Sequence, residues 1–309
     1  MPETVGFMFA GQGAQSVGMG RDLYESSPAA KAVFDEADSV LGRSITQLCF
    51  HGPPDKLTES AQCQPAIYTV SVACMRALQE QVEIRPIVTG GLSLGEFAAL
   101  TAAEALSFRD GITLVAKRGS LMDEACRAAD GAMAAVIGND LELIRNKAAE
   151  NDVDVANYNC PGQTVISGRT DNIDKAVAAL EAAGVRRVVK LDVAGAYHSR
   201  LMADAAEEFG SVLASATIGT PACPVVQNVV GKTVTDPGMI RENLQKQVSG
   251  SVRWEECVHA MMGAGAASLV EIGPGTVLSG FMRRIDRTVP VCHVSGAEDL
   301  DAAVKALQA

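Results

Sequence analysis

The stretch Gly91-Leu92-Ser93-Leu94-Gly95 decides how this chain is read. It follows an apolar segment, residues 84–89 with Ile84, Ile87 and Val88, suited to a buried parallel strand. It opens residues 96–106, a run of good helix formers without Gly or Pro. Glycines two before and two after a serine fit a sharp strand-to-helix turn, because only glycine lacks the Cβ that would clash where the backbone crowds itself. Such a turn lifts the serine hydroxyl clear of the sheet. It also aims backbone N–H groups, at the start of the next helix, toward whatever the serine attacks. Three fixed positions in five recur by chance, so the flanking strand and helix carry the inference. Ser93 is the candidate covalent nucleophile, with acyl transfer or hydrolysis as the candidate chemistry.

Working outward, strand-like and helix-like runs alternate, which favours an α/β fold with a parallel sheet. Core strands are expected at 5–10, 84–89, 225–228, 267–272 and 289–293, and helices at 65–81 and 110–126. Residues 131–193 read differently, as strand, helix, two strands joined through Asn159-Cys160-Pro161-Gly162, helix and strand. That β-α-β-β-α-β order is ferredoxin-like. The expected fold is an α/β-hydrolase-like core, residues 1–128 and 197–309, interrupted by a ferredoxin-like domain at 129–196. The cleft between two such units is a natural substrate site.

Composition narrows the classes. The chain has 309 residues, is 48% hydrophobic and 20% charged, and so has the make-up of a globular protein with a sizeable core. A net charge of −11 and only 4% aromatic residues argue against nucleic-acid binding. No apolar run approaches the ~20 residues that span a bilayer. Met1-Pro2-Glu3-Thr4-Val5 has neither the positive start nor the apolar stretch of a secretory leader. The eight cysteines are scattered and none forms a CxxC pair, which suits a reducing compartment and suggests no metal site. A cytoplasmic protein is expected.

A serine nucleophile needs a base, usually histidine. Of four histidines, His51 precedes the turn signal Gly52-Pro53-Pro54 and reads as a loop residue. His259 falls in a helical run and His293 ends a strand-like one. His198, in Gly195-Ala196-Tyr197-His198-Ser199, lies where the inserted unit returns to the core, at the mouth of the expected cleft.

At this point the residues carry a family resemblance. Phe9-Ala10-Gly11-Gln12-Gly13-Ala14-Gln15, Gly91-Leu92-Ser93-Leu94-Gly95-Glu96, the run Asn159 to Gly168, Gly195 to Ser199, and Glu271-Ile272-Gly273-Pro274-Gly275 stand in one order. Together they resemble the malonyl-CoA:acyl carrier protein transacylases and the related acyltransferase domains of polyketide synthases. The resemblance implies Ser93 as acyl carrier and His198 as base, with His198 oriented by the backbone carbonyl of Gln247. It implies an oxyanion hole from the N–H groups of Gln12 and Leu94. Arg118 matches the arginine that takes the malonyl carboxylate, a planar fork suited to a bidentate partner. Gln64, Asn159 and Tyr197 match further pocket positions. Tyr197 replaces a usual Phe, Cys160 a usual Ser, and Leu92 a usual His, so no polar role carries over to Leu92.

The implied activity is malonyl transfer from malonyl-CoA to the phosphopantetheine thiol of acyl carrier protein, by a monomer without metal or redox cofactor. The pathway implied is type II fatty-acid synthesis; a trans-acting polyketide acyltransferase is the alternative, and a serine thioesterase a more distant one. Two arginine-rich segments, Arg186-Arg187 with Lys190 and Arg283-Arg284 with Arg287, are candidates for docking an acidic carrier protein.

Overall fold

The computed structural model describes residues 4–308. The leader reading of residues 1–3 lies outside them. Ten strands follow in chain order: β1 Val5–Phe9, β2 Val88–Gly91, β3 Gly131–Ile137, β4 Asp154–Cys160, β5 Gln163–Arg169, β6 Arg187–Lys190, β7 Val225–Gln227, β8 Lys232–Val234, β9 Ser268–Ile272 and β10 Val291–Val294. Six form one sheet in the order β10-β9-β1-β2-β7-β8. All neighbours in it are parallel except the edge strand β8, which runs antiparallel to β7.

The centre of this sheet is covered on both faces, so β1 is buried throughout. Alternation sends Phe7 and Phe9 into one core, under the helix Ser60–Gln81, and Met8 into another with Trp254 and Met261. Helices Ser60–Gln81 and Phe108–Ala128 cross closely at Gly119, where a Cβ would come 2.3 Å from the Ser60 carbonyl oxygen. Asp123, from the second of these helices, accepts from the Ser60 and Ala61 N–H groups at 2.9 and 2.7 Å. A carboxylate at a helix start answers both its free N–H groups and its positive dipole end.

The other four strands form an antiparallel sheet, order β4-β5-β3-β6, with the helices Leu141–Glu150 and Thr170–Ala182 in β-α-β-β-α-β sequence. It has its own apolar core around Val136, Ile166, Ile173 and Leu180. Its edge strand β4 is tied to the larger sheet's half of the chain: Val252 N–H donates to the Ala156 carbonyl at 2.8 Å, and Tyr158 N–H to the Val252 carbonyl at 2.9 Å. No helix among the described residues is long and apolar enough to cross a membrane.

Several element boundaries differ from the sequence reading. The strand before the turn begins at Val88, not at residue 84, and continues through Gly91. Ile84 instead packs beside the core from an extended connection. The helix read as starting at Pro65 begins at Ser60, with Pro65 inside it. Proline has no N–H for the carbonyl four residues back. That carbonyl, of Ala61, accepts from Arg43 Nη2 at 3.1 Å instead, which lets the helix run through. The helix after the turn stops at Ala102 rather than residue 106, with Glu104 in the left-handed region. His51 closes the short helix Ile45–His51 rather than lying in a loop.

Candidate active site

β2 ends at Gly91 and a helix begins at Gly95, with Ser93 between them at φ +52°. Left-handed backbone costs a non-glycine residue free energy and is held only where the surroundings over-determine it. Here they do. A Cβ at Gly91 would lie 2.1 Å from the Gly95 carbonyl carbon and oxygen, and one at Gly95 would lie 2.4 Å from the Phe9 carbonyl oxygen. The turn is thus locked between its own two arms and β1. Asn228, just after β7, clamps it: its Oδ1 accepts from Ser93 N–H at 2.6 Å and its Nδ2 donates to the Gly91 carbonyl at 2.8 Å.

His198 reaches the serine from the segment that follows β6. Its Nε2 lies 2.8 Å from Ser93 Oγ, and its Nδ1 lies 2.8 Å from the Gln247 carbonyl and 3.2 Å from that of Gly250. Both carbonyls can only accept, so Nδ1 carries the proton and Nε2 is free to take one. The ring is buried. That burial, followed by the nearby Arg118 charge, lowers its pKa to about 4, against the pull of the two carbonyls. A neutral imidazole in this position can accept the serine proton.

Arg118, from the helix Phe108–Ala128, is 1% exposed. Its Nη2 donates to Ser93 Oγ and to Gln247 Oε1, each at 3.0 Å, and its Nη1 to Gln64 Oε1 at 2.6 Å. Its Nε has no partner among the described residues. Burial lowers its pKa to about 10, so the guanidinium stays charged at neutral pH. Both residues it meets besides serine are neutral amides. A buried cation with no carboxylate in contact and a donor to spare can receive an anion.

A cleft of 680 Å³ opens over Ser93 and His198, walled by Gln12, Tyr197 and Asn159 among others, with Met133 and Val165 from the small sheet and Leu191 just after β6. Val277 and Phe281 of the helix Val277–Ile285 close one side. That helix is seated by Glu271, whose carboxylate accepts from the Leu278 and Ser279 N–H groups at 2.8 and 2.7 Å. Asn159 Oδ1, buried at the cleft wall, has no protein donor among the described residues. The backbone N–H groups of Gln12 and Leu94 donate to no protein acceptor among the described residues, whereas Ser93 N–H is taken by Asn228.

All nine residues singled out from the sequence therefore fall in one neighbourhood. Gln64 is fully buried and faces Arg118 and Gln12 rather than the open cleft. Tyr197 turns its hydroxyl to Ser60 Oγ at 2.8 Å, and Ser60 in turn accepts from Gln12 Nε2 at 3.2 Å. The other histidines lie elsewhere: His51 and His259 are exposed, and His293 pairs with Asp299 at 3.2 Å. Two residues the sequence reading gave no role belong here, Asn228 and Glu96. Glu96 is 1% exposed and directly follows the turn's second glycine, at the start of the apolar run Phe97 to Leu100, which is a usable signal. Asn228 had none.

A left-handed serine on a strand-to-helix elbow, paired with a carbonyl-held histidine, is the arrangement of enzymes that carry an acyl group on serine. The chain belongs to the acyl transferase domain family, whose model matches residues 6–306. A malonyl CoA-acyl carrier protein transacylase of Bacillus subtilis (strain 168) is 41% identical over 98% of this chain and 97% of its own. The crystal structure of MCAT from Streptococcus pneumoniae superposes with a TM-score of 0.94 at 40% identity, covering 98% of this chain and 100% of the other. A malonyl-transacylase in complex with a type II PKS acyl-carrier protein gives 0.95 at 37% identity, covering 98% and 100%.

Proposed function

We propose that the chain is a malonyl-CoA:acyl carrier protein transacylase serving type II fatty-acid synthesis in the cytoplasm. The observation that carries the reading is Arg118: a buried guanidinium whose Nη2 lies 3.0 Å from the nucleophile's oxygen. A malonyl group on Ser93 would hold its free carboxylate two carbon–carbon bonds from the ester carbonyl carbon, within reach of that cation. An acetyl group would leave the cation unmatched, which costs more than a missing apolar contact.

In this reading Ser93 Oγ attacks the thioester carbonyl as its proton passes to His198 Nε2. The carbonyl of Gln247 stabilises the imidazolium at Nδ1. The N–H groups of Gln12 and Leu94 receive the oxyanion, and their freedom from protein acceptors supports that role. Collapse expels the CoA sulfur, which takes the proton back from His198, and leaves malonyl-Ser93. The carrier protein's phosphopantetheine thiol then gives its proton to His198 and attacks the ester; the malonyl thioester departs as Ser93 Oγ leaves the acyl carbon and takes that proton back from His198 Nε2. Arg118 and Gln64 hold the malonyl carboxylate, Asn159 Oδ1 offers an acceptor to the incoming arm, and Tyr197 shapes the wall. Every step uses this chain's residues, one thioester donor and one thiol acceptor, so the reading calls for no cofactor.

The same reading treats the six-stranded sheet with its helices as an α/β-hydrolase-like domain, and the four-stranded unit as a ferredoxin-like domain inserted at 129–196. The unit acts as a monomer, since a single chain supplies every group named. Eight free cysteines are compatible with the cytoplasm. For docking, Arg186 and Arg284 line one small groove of 250 Å³, so the two basic segments meet on one face.

The test is intact mass after exposure to malonyl-CoA and acid quench. Wild type is expected to gain one malonyl group and Ser93→Ala none. An adduct of the same size on Ser93→Ala would overturn the assignment of the nucleophile.

A further inference from the structure

Behind the elbow, on the side away from the cleft, the Glu96 carboxylate holds two groups that no step above uses, the Asn228 N–H and the Gln247 side-chain amide. Its Oε1 accepts from Asn228 N–H at 2.7 Å, and its Oε2 accepts from Gln247 Nε2. Gln247 Nε2 also donates to the Ser93 carbonyl at 3.0 Å, while Gln247 Oε1 accepts from Arg118 Nη2. Guanidinium has no acceptor and a carbonyl has no donor. The amide of Gln247 is therefore oriented at both ends, and both Glu96 oxygens face donors. Asn228 and Gln247 are themselves fully buried, so water does not compete for these contacts.

We infer that Glu96 is a positioning residue for selectivity: through the Gln247 amide it sets where Arg118 stands relative to Ser93, and through Asn228 it ties that setting to the elbow. A direct Arg118–Glu96 pair would occupy the guanidinium with a resident carboxylate. An amide interposed between them holds the cation in place and leaves it able to take a second carboxylate, that of the acyl group. Glutamine at position 96 cannot reproduce this. Either way round, its NH₂ would meet the Asn228 N–H or the Gln247 NH₂, and one donor would be left facing another.

The inference rests on the malonyl reading, and the experiment separates the two. Acylation by malonyl-CoA and by acetyl-CoA is followed for wild type, Glu96→Gln and Gln247→Met. The last keeps the backbone carbonyl that holds His198 but removes the amide. Wild type must first show the malonyl preference; without it the underlying reading fails. Given that preference, Glu96→Gln is expected to lower the malonyl-to-acetyl ratio of kcat/KM about tenfold, the scale of one misaligned charged hydrogen bond. The change should lie mainly in KM for malonyl-CoA. Gln247→Met is expected to lower the ratio in the same direction, and it carries the test should Glu96→Gln not fold. An equal fall for both acyl groups, or an unchanged ratio, would overturn the inference and leave Glu96 a structural residue.

Discussion

His198 is a base whose working range is set by where it sits. Burial and Arg118 both disfavour its charged form, which puts its pKa about 4, well below an ordinary histidine. The neutral form is the one that takes the serine proton, so activity is lost as pH falls through that value and is unaffected near 6.5. Arg118, lowered to about 10 by burial, must stay protonated to hold a carboxylate, so activity is lost again as pH rises through that value. Limbs in kcat/KM for malonyl-CoA are therefore expected about 4, from His198, and about 10, from Arg118. An acid limb near 6.5 would mean that the histidine is solvated in the working enzyme. At this scale the sequence was most legible where a residue type is rare or a spacing strict. Ser93 between its glycines, and His198 among four histidines, could be picked out. Arg118 could not be separated from a solvated helix arginine without the family resemblance, because its burial depends on how two distant helices cross.

The elbow is an element-scale device built from β2, the helix Gly95–Ala102 and the segment after β7. Its glycines were readable because they answer a local steric demand. Its clamp was not, because Asn228 lies 135 residues away from the N–H it accepts from. Replacing Asn228 by Ala leaves the Ser93 N–H, the Gly91 carbonyl and a strained φ without their partner. Each buried group so orphaned costs on the order of 1–3 kcal/mol, part of which the turn can shed by relaxing. Acylation is expected to slow roughly 10- to 100-fold while the protein stays folded, measured as the first-order rate of CoA release in a single turnover. A rate within a factor of about two of wild type would show that the glycines alone hold the turn. Element edges were the least legible feature. β2 was placed a few residues early because an apolar run looks alike in a strand and in the connection leading to it. Pro65 reads as a helix start because its rescue by Arg43 is a tertiary contact.

At the scale of the whole molecule, two sheets of different kinds share one cleft, and the order of elements along the chain points to their strands except β8, a three-residue antiparallel edge too short to show an apolar run. What order could not supply was their relative placement, which depends on the backbone bonds between β4 and the segment around Val252. That placement also brings Gly250 and Gln247, three residues apart, to the same imidazole nitrogen. A net charge of −11 opposes an acidic partner in general. The groove shared by Arg186 and Arg284 offers a local exception on a surface where neither arginine is paired with a carboxylate among the described residues. The central claim is that this cleft hands its acyl group to a thiol. The direct measurement is to isolate the malonyl-enzyme free of CoA, add holo acyl carrier protein, and follow where the malonyl group goes. The account predicts quantitative appearance of malonyl-carrier protein with little free malonate. Free malonate appearing at the same rate with and without carrier protein would make the enzyme a hydrolase and contradict it.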